Sequence, residues 1–387
     1  MNSSSPDAPP ARFISGALGF AVLLQLGCTN PAPGGGSASP LEPGPRAEAR
    51  RGAETAFRDG PESAEETRQP RTLLEAPECK GEGEVCRELR AAAQALVRRG
   101  GSGAGEARAH LERVRALGDD SPTLYLLRGR TEAHSESLAY GEGRGGAARA
   151  LIEFEAAIER DESLLVARLE RARMLLSLGR GAEAEAPLRQ LLAAAPEDAE
   201  VRGALGVSLL SQGQIEAAKL EFERATRLEP TNAERWVALG ATQMLLSDLS
   251  AAEASFRTAL HLDAGSVRAH ADLGSLYLLR AETRQGRAHL ERALHLSPRS
   301  PAVLTNLAYA DYLDGEFESA RQRAEAALKL DPTFASAWLN LALALAAERR
   351  LDAARDAIER ARKLNPDDPR VATALEDLHA LENVSVK

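Results

Sequence analysis

Residues 233–266 read AERWVALGATQMLLSDLSAAEASFRTALHLDAGS, and the fold turns on this stretch. Its apolar residues recur three and four apart in two runs. Trp236, Val237, Gly240 and Met244 mark one helical stripe, and Ala252, Phe256 and Ala259 mark a second. Ser247 and Asp248 separate the runs as a turn. The stretch therefore predicts two amphipathic helices joined by a short connection, each with one face to bury.

Working outward, the same pattern returns every 34 residues, which takes precedence over any other reading of the fold. Pro196, Pro230, Pro298, Pro332 and Pro366 share one frame, with Ala264 in the single gap. Proline is about 5% of ordinary sequence, so such a column is not chance. Ala184, Ala218, Ala252, Gly286, Ala320 and Ala354 form a column of small residues. Leu188, Phe222, Phe256, Leu290, Ala324 and Ile358 follow four residues later, then Leu191, Ala225, Ala259, Ala293, Ala327 and Ala361. Leu205-Gly206, Leu239-Gly240 and Leu273-Gly274 open their units, with Leu307-Ala308 and Leu341-Ala342 in the same places. Small residues sit where helices cross closely, and the larger residue between them fills the adjacent hole. Proline ends each second helix because it cannot supply the next backbone hydrogen bond. One helix pair cannot bury its stripe alone, so neighbouring pairs must stack into a continuous core.

These columns resemble the tetratricopeptide-repeat family. Trp236, Leu239 and Gly240, then Ala252, Phe256 and Ala259, match its signature, and Trp338 opens another unit. The resemblance implies an all-α, right-handed superhelical solenoid of helix pairs at 165–198, 199–232, 233–266, 267–300, 301–334 and 335–368. A unit at 121–164 keeps Ala150, Phe154 and Ala157 but carries extra residues between its helices. A helical region at 73–120 holds a degenerate unit with Ala107, Leu111 and Val114, and residues 369–387 are expected as a capping helix and tail. Pro187 falls within a second helix, where it should kink the chain. The glycine-rich run 141–146 is expected as the flexible part of the insertion.

The amino terminus reads differently. After Arg12, residues 13–26 are FISGALGFAVLLQL, too short to span a bilayer and of the length of a secretory signal's apolar core. Leu26-Gly27-Cys28 resembles the lipobox of bacterial lipoproteins, which implies cleavage after residue 27 and acylation (diacylglycerol and palmitate) at Cys28. The alternatives are an ordinary cleaved signal and a chain that is not exported. Cys79 and Cys86, in CKGEGEVC, fit a disulfide in an oxidising periplasm, or two free thiols in the cytoplasm. Residues 28–72 are rich in Pro, Gly, Ser, Ala, Glu and Arg, a composition expected to stay a disordered tether. A flexible coil of roughly 44 residues reaches about 35–40 Å, and on the order of 150 Å when fully extended.

The net charge is −9, and no basic face for nucleic acid is present. With signal, tether and repeats assigned, no stretch remains for a separate catalytic domain. HExxH, G-x-S-x-G and Walker sequences are absent, and His261 and His295 occupy equivalent surface positions. No enzyme activity, cofactor or metal is therefore expected. The family resemblance implies instead a concave groove for an extended or amphipathic segment of a protein partner. Its candidate lining is Val207, Leu210, Val237, Met244, Leu278, Tyr309, Tyr312, Leu339 and Leu343, with Asn306 and Asn340 available to a partner backbone. The resulting expectation is a lipid-anchored adaptor of the outer membrane facing the periplasm. Similar lipoproteins serve pilus secretin assembly, cell-wall hydrolases or motility. A self-associating structural subunit and a soluble periplasmic or cytoplasmic adaptor are the alternatives.

Overall fold

The computed structural model describes residues 83–97, 102–135 and 143–385. Residues 1–27, Cys28, the tether and Cys79 lie outside these, while Cys86 stands in the first turn of α1 (Glu84–Val97).

The described chain is helical from end to end. After α1 come α2 (Ser102–Ala116), α3 (Pro122–Ser135), α4 (Gly143–Arg160), α5 (Leu165–Ser177) and α6 (Gly181–Ala194). The regular units follow: α7 (Ala199–Ser211) with α8 (Ile215–Leu228), α9 (Ala233–Leu245) with α10 (Leu249–Leu262), and α11 (Val267–Leu279) with α12 (Thr283–Leu296). Then come α13 (Pro301–Leu313) with α14 (Phe317–Leu330) and α15 (Ala335–Ala347) with α16 (Leu351–Leu364), and α17 (Pro369–Ser385) closes the array. Two details differ from the sequence reading. Residues 143–146 of the glycine-rich run are not insertion but the first turn of α4, while 141 and 142 lie outside the described residues. Pro187 lies well inside α6, which continues on both sides of it.

Each unit is closed by the same few local devices. Asp198, Asp248, Ser266 and Ser300 cap first or second helices by accepting from the backbone N–H three residues on. Within the units, a left-handed residue ends the first helix at Gly179, Gly213, Ser247, Ala281, Gly315 and Arg349, spaced by the repeat length. The next residue's N–H then reaches back across that turn, as from Gln214 to the Leu209 carbonyl (3.0 Å) and from Glu282 to that of Tyr277 (2.8 Å).

Packing follows the columns. The larger second-helix residue presses onto the glycine of its own first helix. A Cβ on Gly206 would stand 2.7 Å from Phe222, and one on Gly240 the same distance from Phe256. Gly129 makes the same approach to Phe154, so the pair α3–α4 is a unit of the same design despite its longer helices. Where α13 and α15 carry Ala308 and Ala342, the facing residues are the smaller Ala324 and Ile358.

Most first helices of successive units touch one another: α5 meets α7, α9 meets α11, α11 meets α13, and α13 meets α15, while α7 and α9 stand further apart. Among the described residues no two second helices make comparable contact. The first helices therefore line the inner, concave side of the array and the second helices its outer side. Val371 and Leu378 of α17 are buried against the last unit, so this helix covers a core that would otherwise end exposed.

Candidate protein-binding face

Three side-chain positions on each first helix determine what the inner face offers. The first lies at the turn into each helix. Trp236 and Trp338 donate their indole N–H to the carbonyls of Pro230 (2.8 Å) and Pro332 (2.9 Å). Arg202 reaches the Pro196 carbonyl at 2.6 Å and His270 the Ala264 carbonyl at 3.3 Å, so different side chains clasp the same turn. That bond puts the proton of neutral His270 on Nε2 and leaves Nδ1 as an acceptor, 3.0 Å from His289 Nδ1. Burial lowers the proton affinity of both imidazoles, helped at His289 by His270 and Arg257 and at His270 by Arg292.

The second position forms a column through Ala204, Ala238, Asp272, Asn306 and Asn340. Asn306 donates to Ser275 Oγ (2.9 Å) and Asn340 to the Thr305 carbonyl (2.8 Å), each tying its helix to the preceding first helix. The structure thus narrows the expectation that their amides await a partner, because one N–H of each is already given to the preceding first helix. Asp272 has no such donor when ionised. It is 1% exposed, and its Oδ1 has no partner. Burial pushes this carboxyl up to about 7, with Arg268 opposing the rise and Glu234 adding to it.

The third group is the apolar lining read from the sequence. Val237, Leu210, Met244, Leu278, Tyr309 and Leu339 are buried in the cores between helices. Their place is packing rather than contact with a partner. Tyr309 stacks on Tyr312, its hydroxyl is buried without a partner, and burial raises its pKa far above the usual phenol range. Val207, Tyr312 and Leu343 remain partly open on the inner face, as do parts of Asn306 and Asn340.

The inner face also holds a depression that the sequence reading missed. A cavity of about 310 Å³ opens across α5, α7, α9 and α11. Gly203, Ala204 and Ala238 leave room in it, Leu176, Val207 and Phe222 give it apolar walls, and Arg173, Arg235, Arg268, Glu200 and Glu234 edge it. The available signal was the two alanines at the head of a column that is otherwise Asp and Asn. Among the described residues no cluster of three or more metal-ligating side chains forms, and no helix is long and apolar enough to cross a membrane.

A helix-pair array with its first helices on the concave side defines the class: an α-solenoid of short tandem repeats. The Tetratricopeptide repeat family profile matches residues 175–242 and 311–378. Those two stretches are tetratricopeptide repeats, and the described array as a whole has the fold of a solenoid of such repeats. Solved structures agree at the level of fold. The APC/C hetero-tetramer Cut9–Hcn1 matches over 79% of this chain and 58% of that one, at 19% identity and a TM-score of 0.57. This chain thus spans little more than half the length of that protein. A tetratricopeptide repeat protein from Parabacteroides merdae ATCC 43184 matches over 61% of this chain and 93% of its own, at 15% identity and a TM-score of 0.51. No curated protein matches the sequence.

Proposed function

We propose that this chain is a non-catalytic protein–protein interaction scaffold of the bacterial envelope. Lipid on Cys28 anchors it to the outer membrane, and its inner face holds a segment of a protein belonging to an envelope machine. The observation that carries the binding part is the inner face of successive first helices, which bears an apolar depression edged by charge where α7 and α9 stand further apart. Such a surface suits an extended or helical segment, with apolar anchors in pockets and polar contacts around them. The apolar run 13–26 ending in Leu26-Gly27-Cys28 supports the anchor. The residues after Cys28 supply a tether with about 35–40 Å of reach, enough to set the array away from the lipid. Pilus secretin assembly, cell-wall hydrolysis and motility are the envelope processes this reading favours.

Intact-mass analysis and membrane fractionation of the chain made in a Gram-negative host, beside a Cys28→Ala version, test the anchor. The reading expects loss of residues 1–27, an acylated cysteine and sedimentation with membrane, all absent from the variant. An unprocessed, unmodified chain in the soluble fraction of both would remove the envelope from the account and leave a soluble adaptor.

A further inference from the structure

We propose that the depression over Gly203, Ala204 and Ala238 is the anchoring pocket of the inner face, and that it takes a bulky apolar side chain of a partner segment beside a lysine or arginine. The proposal rests on the inner-face reading above and narrows it to one site and one chemistry.

Shape is the first ground. In the last three regular units, the column after Ala238 carries Asp272, Asn306 and Asn340, and both asparagines bridge to the preceding helix. In the units of α7 and α9 the same place holds only a methyl group, so the wall between successive first helices stays open there. Gly203 lets the Arg235 guanidinium lie against α7 at the cavity's edge: a Cβ there would be 2.8 Å from Nη1. The resulting 310 Å³ matches the lower end of small-ligand pockets, a fit for one leucine or aromatic side chain rather than a whole helix.

Charge is the second. At one end, the cations are saturated. Arg173 contacts both Glu170 and Glu200, and Arg235 sits 2.7 Å from Glu229 with Glu200 beyond at 3.8 Å. At the other end, nothing is closed. Arg268 stands 3.7 Å from Glu234 and 3.9 Å from Asp272, both beyond hydrogen-bond length. Arg268 Nε and Asp272 Oδ1 are buried without partners, and the Glu234 side chain is 65% exposed. Four guanidinium groups, counting Arg130 on Glu170, thus face five carboxylates (Glu170, Glu200, Glu229, Glu234 and Asp272), an excess of negative charge whenever Asp272 is ionised. A basic side chain beside Glu234 completes this end, and an acidic one is repelled.

The test is selection of phage-displayed random peptides on the immobilised full chain, followed by synthesis of the enriched peptides and measurement of their affinity. The proposal expects Leu, Phe or Trp next to Lys or Arg in the enriched set. It also expects affinity to fall about tenfold or more in Ala238→Leu, which fills the pocket, and in Glu234→Lys, while Leu220→Ala on the exposed outer face leaves it unchanged. Glu234 is exposed enough that its reversal leaves folding intact, which equal thermal melting would verify. If Leu343→Ala abolishes binding and the two pocket variants do not, the inner-face reading stands and this pocket falls. Enrichment of acidic sequences, or of none, overturns the proposal, and binding indifferent to Ala238→Leu, Glu234→Lys and Leu343→Ala alike overturns the inner-face reading with it.

Discussion

At the scale of single residues, the repeat tolerates chemical substitution but not a change of geometry. The turn between helices needs a left-handed residue, and glycine fills it at 179, 213 and 315. Ala281, at φ 58°, fills the same place at a cost, since a Cβ strains that conformation. Ala281→Gly is therefore expected to stabilise the protein by about 0.5–1 kcal/mol, read as a rise in the urea midpoint with unchanged slope. Asp272 is the second such residue. Its carboxyl is raised to about 7 from an unfolded value of 3.8, so the stability it contributes is present below pH 3.8 and lost as pH rises through about 7. Asp272→Asn restores a donor where Asn306 and Asn340 use one. Denaturation at pH 8 should show the variant more stable than the native chain by about 1–3 kcal/mol, the gap narrowing toward pH 5. A constant difference across that range would mean Asp272 does not titrate as argued. These residues also show what the sequence concealed. The columns disclosed every helix pair, but Val237 and Ala238 are neighbours on one helix, and only superhelical stacking buries the first and opens the second.

At the scale of the helix pair, stability comes from a glycine under a large side chain and from one polar contact twelve residues apart. Ser255 donates to Gln243 (2.7 Å), His289 stacks on Tyr277, and Arg323 pairs with Asp311 (2.7 Å), so the three central units each carry their own version of the contact. Gly240 lies directly beneath Phe256. Gly240→Ala should thus cost about 1–3 kcal/mol through overpacking, despite the higher helix propensity of alanine, and a gain in melting temperature would refute that packing. The pair α11–α12 adds a response to acid. His270 and His289 face each other through Nδ1, with Arg292 and Arg257 nearby, and both imidazoles have lowered proton affinity relative to an ordinary value of 6.5. Stability held above that pH is lost as pH falls through their folded values. Melting temperature should drop between pH 7.5 and 5.5, and His270→Trp, the residue at the equivalent position 236, should shrink that drop. The motif legible here was the columnar one. The histidine pair was not, because its members come from two columns that hold other residues in the remaining units.

At the scale of the whole molecule, the array is a curved stack in which each unit contacts only its neighbours, closed at one end by α17. The columns made this architecture readable before any coordinates, because a repeat fixes its own neighbours. The binding surface was not readable in the same way: partners meet the residues that stacking leaves uncovered, and most of the apolar positions chosen from sequence are covered. The central claim is that the inner face, not the outer one, meets the partner. The most direct measurement places a photo-crosslinking benzoylphenylalanine at Val207 or Tyr312 on the inner face, and at exposed Leu220 on the outer face, in the native host. The account predicts one discrete protein adduct from the inner positions and none from Leu220. The same adduct from Leu220, with nothing from Val207 or Tyr312, would contradict it.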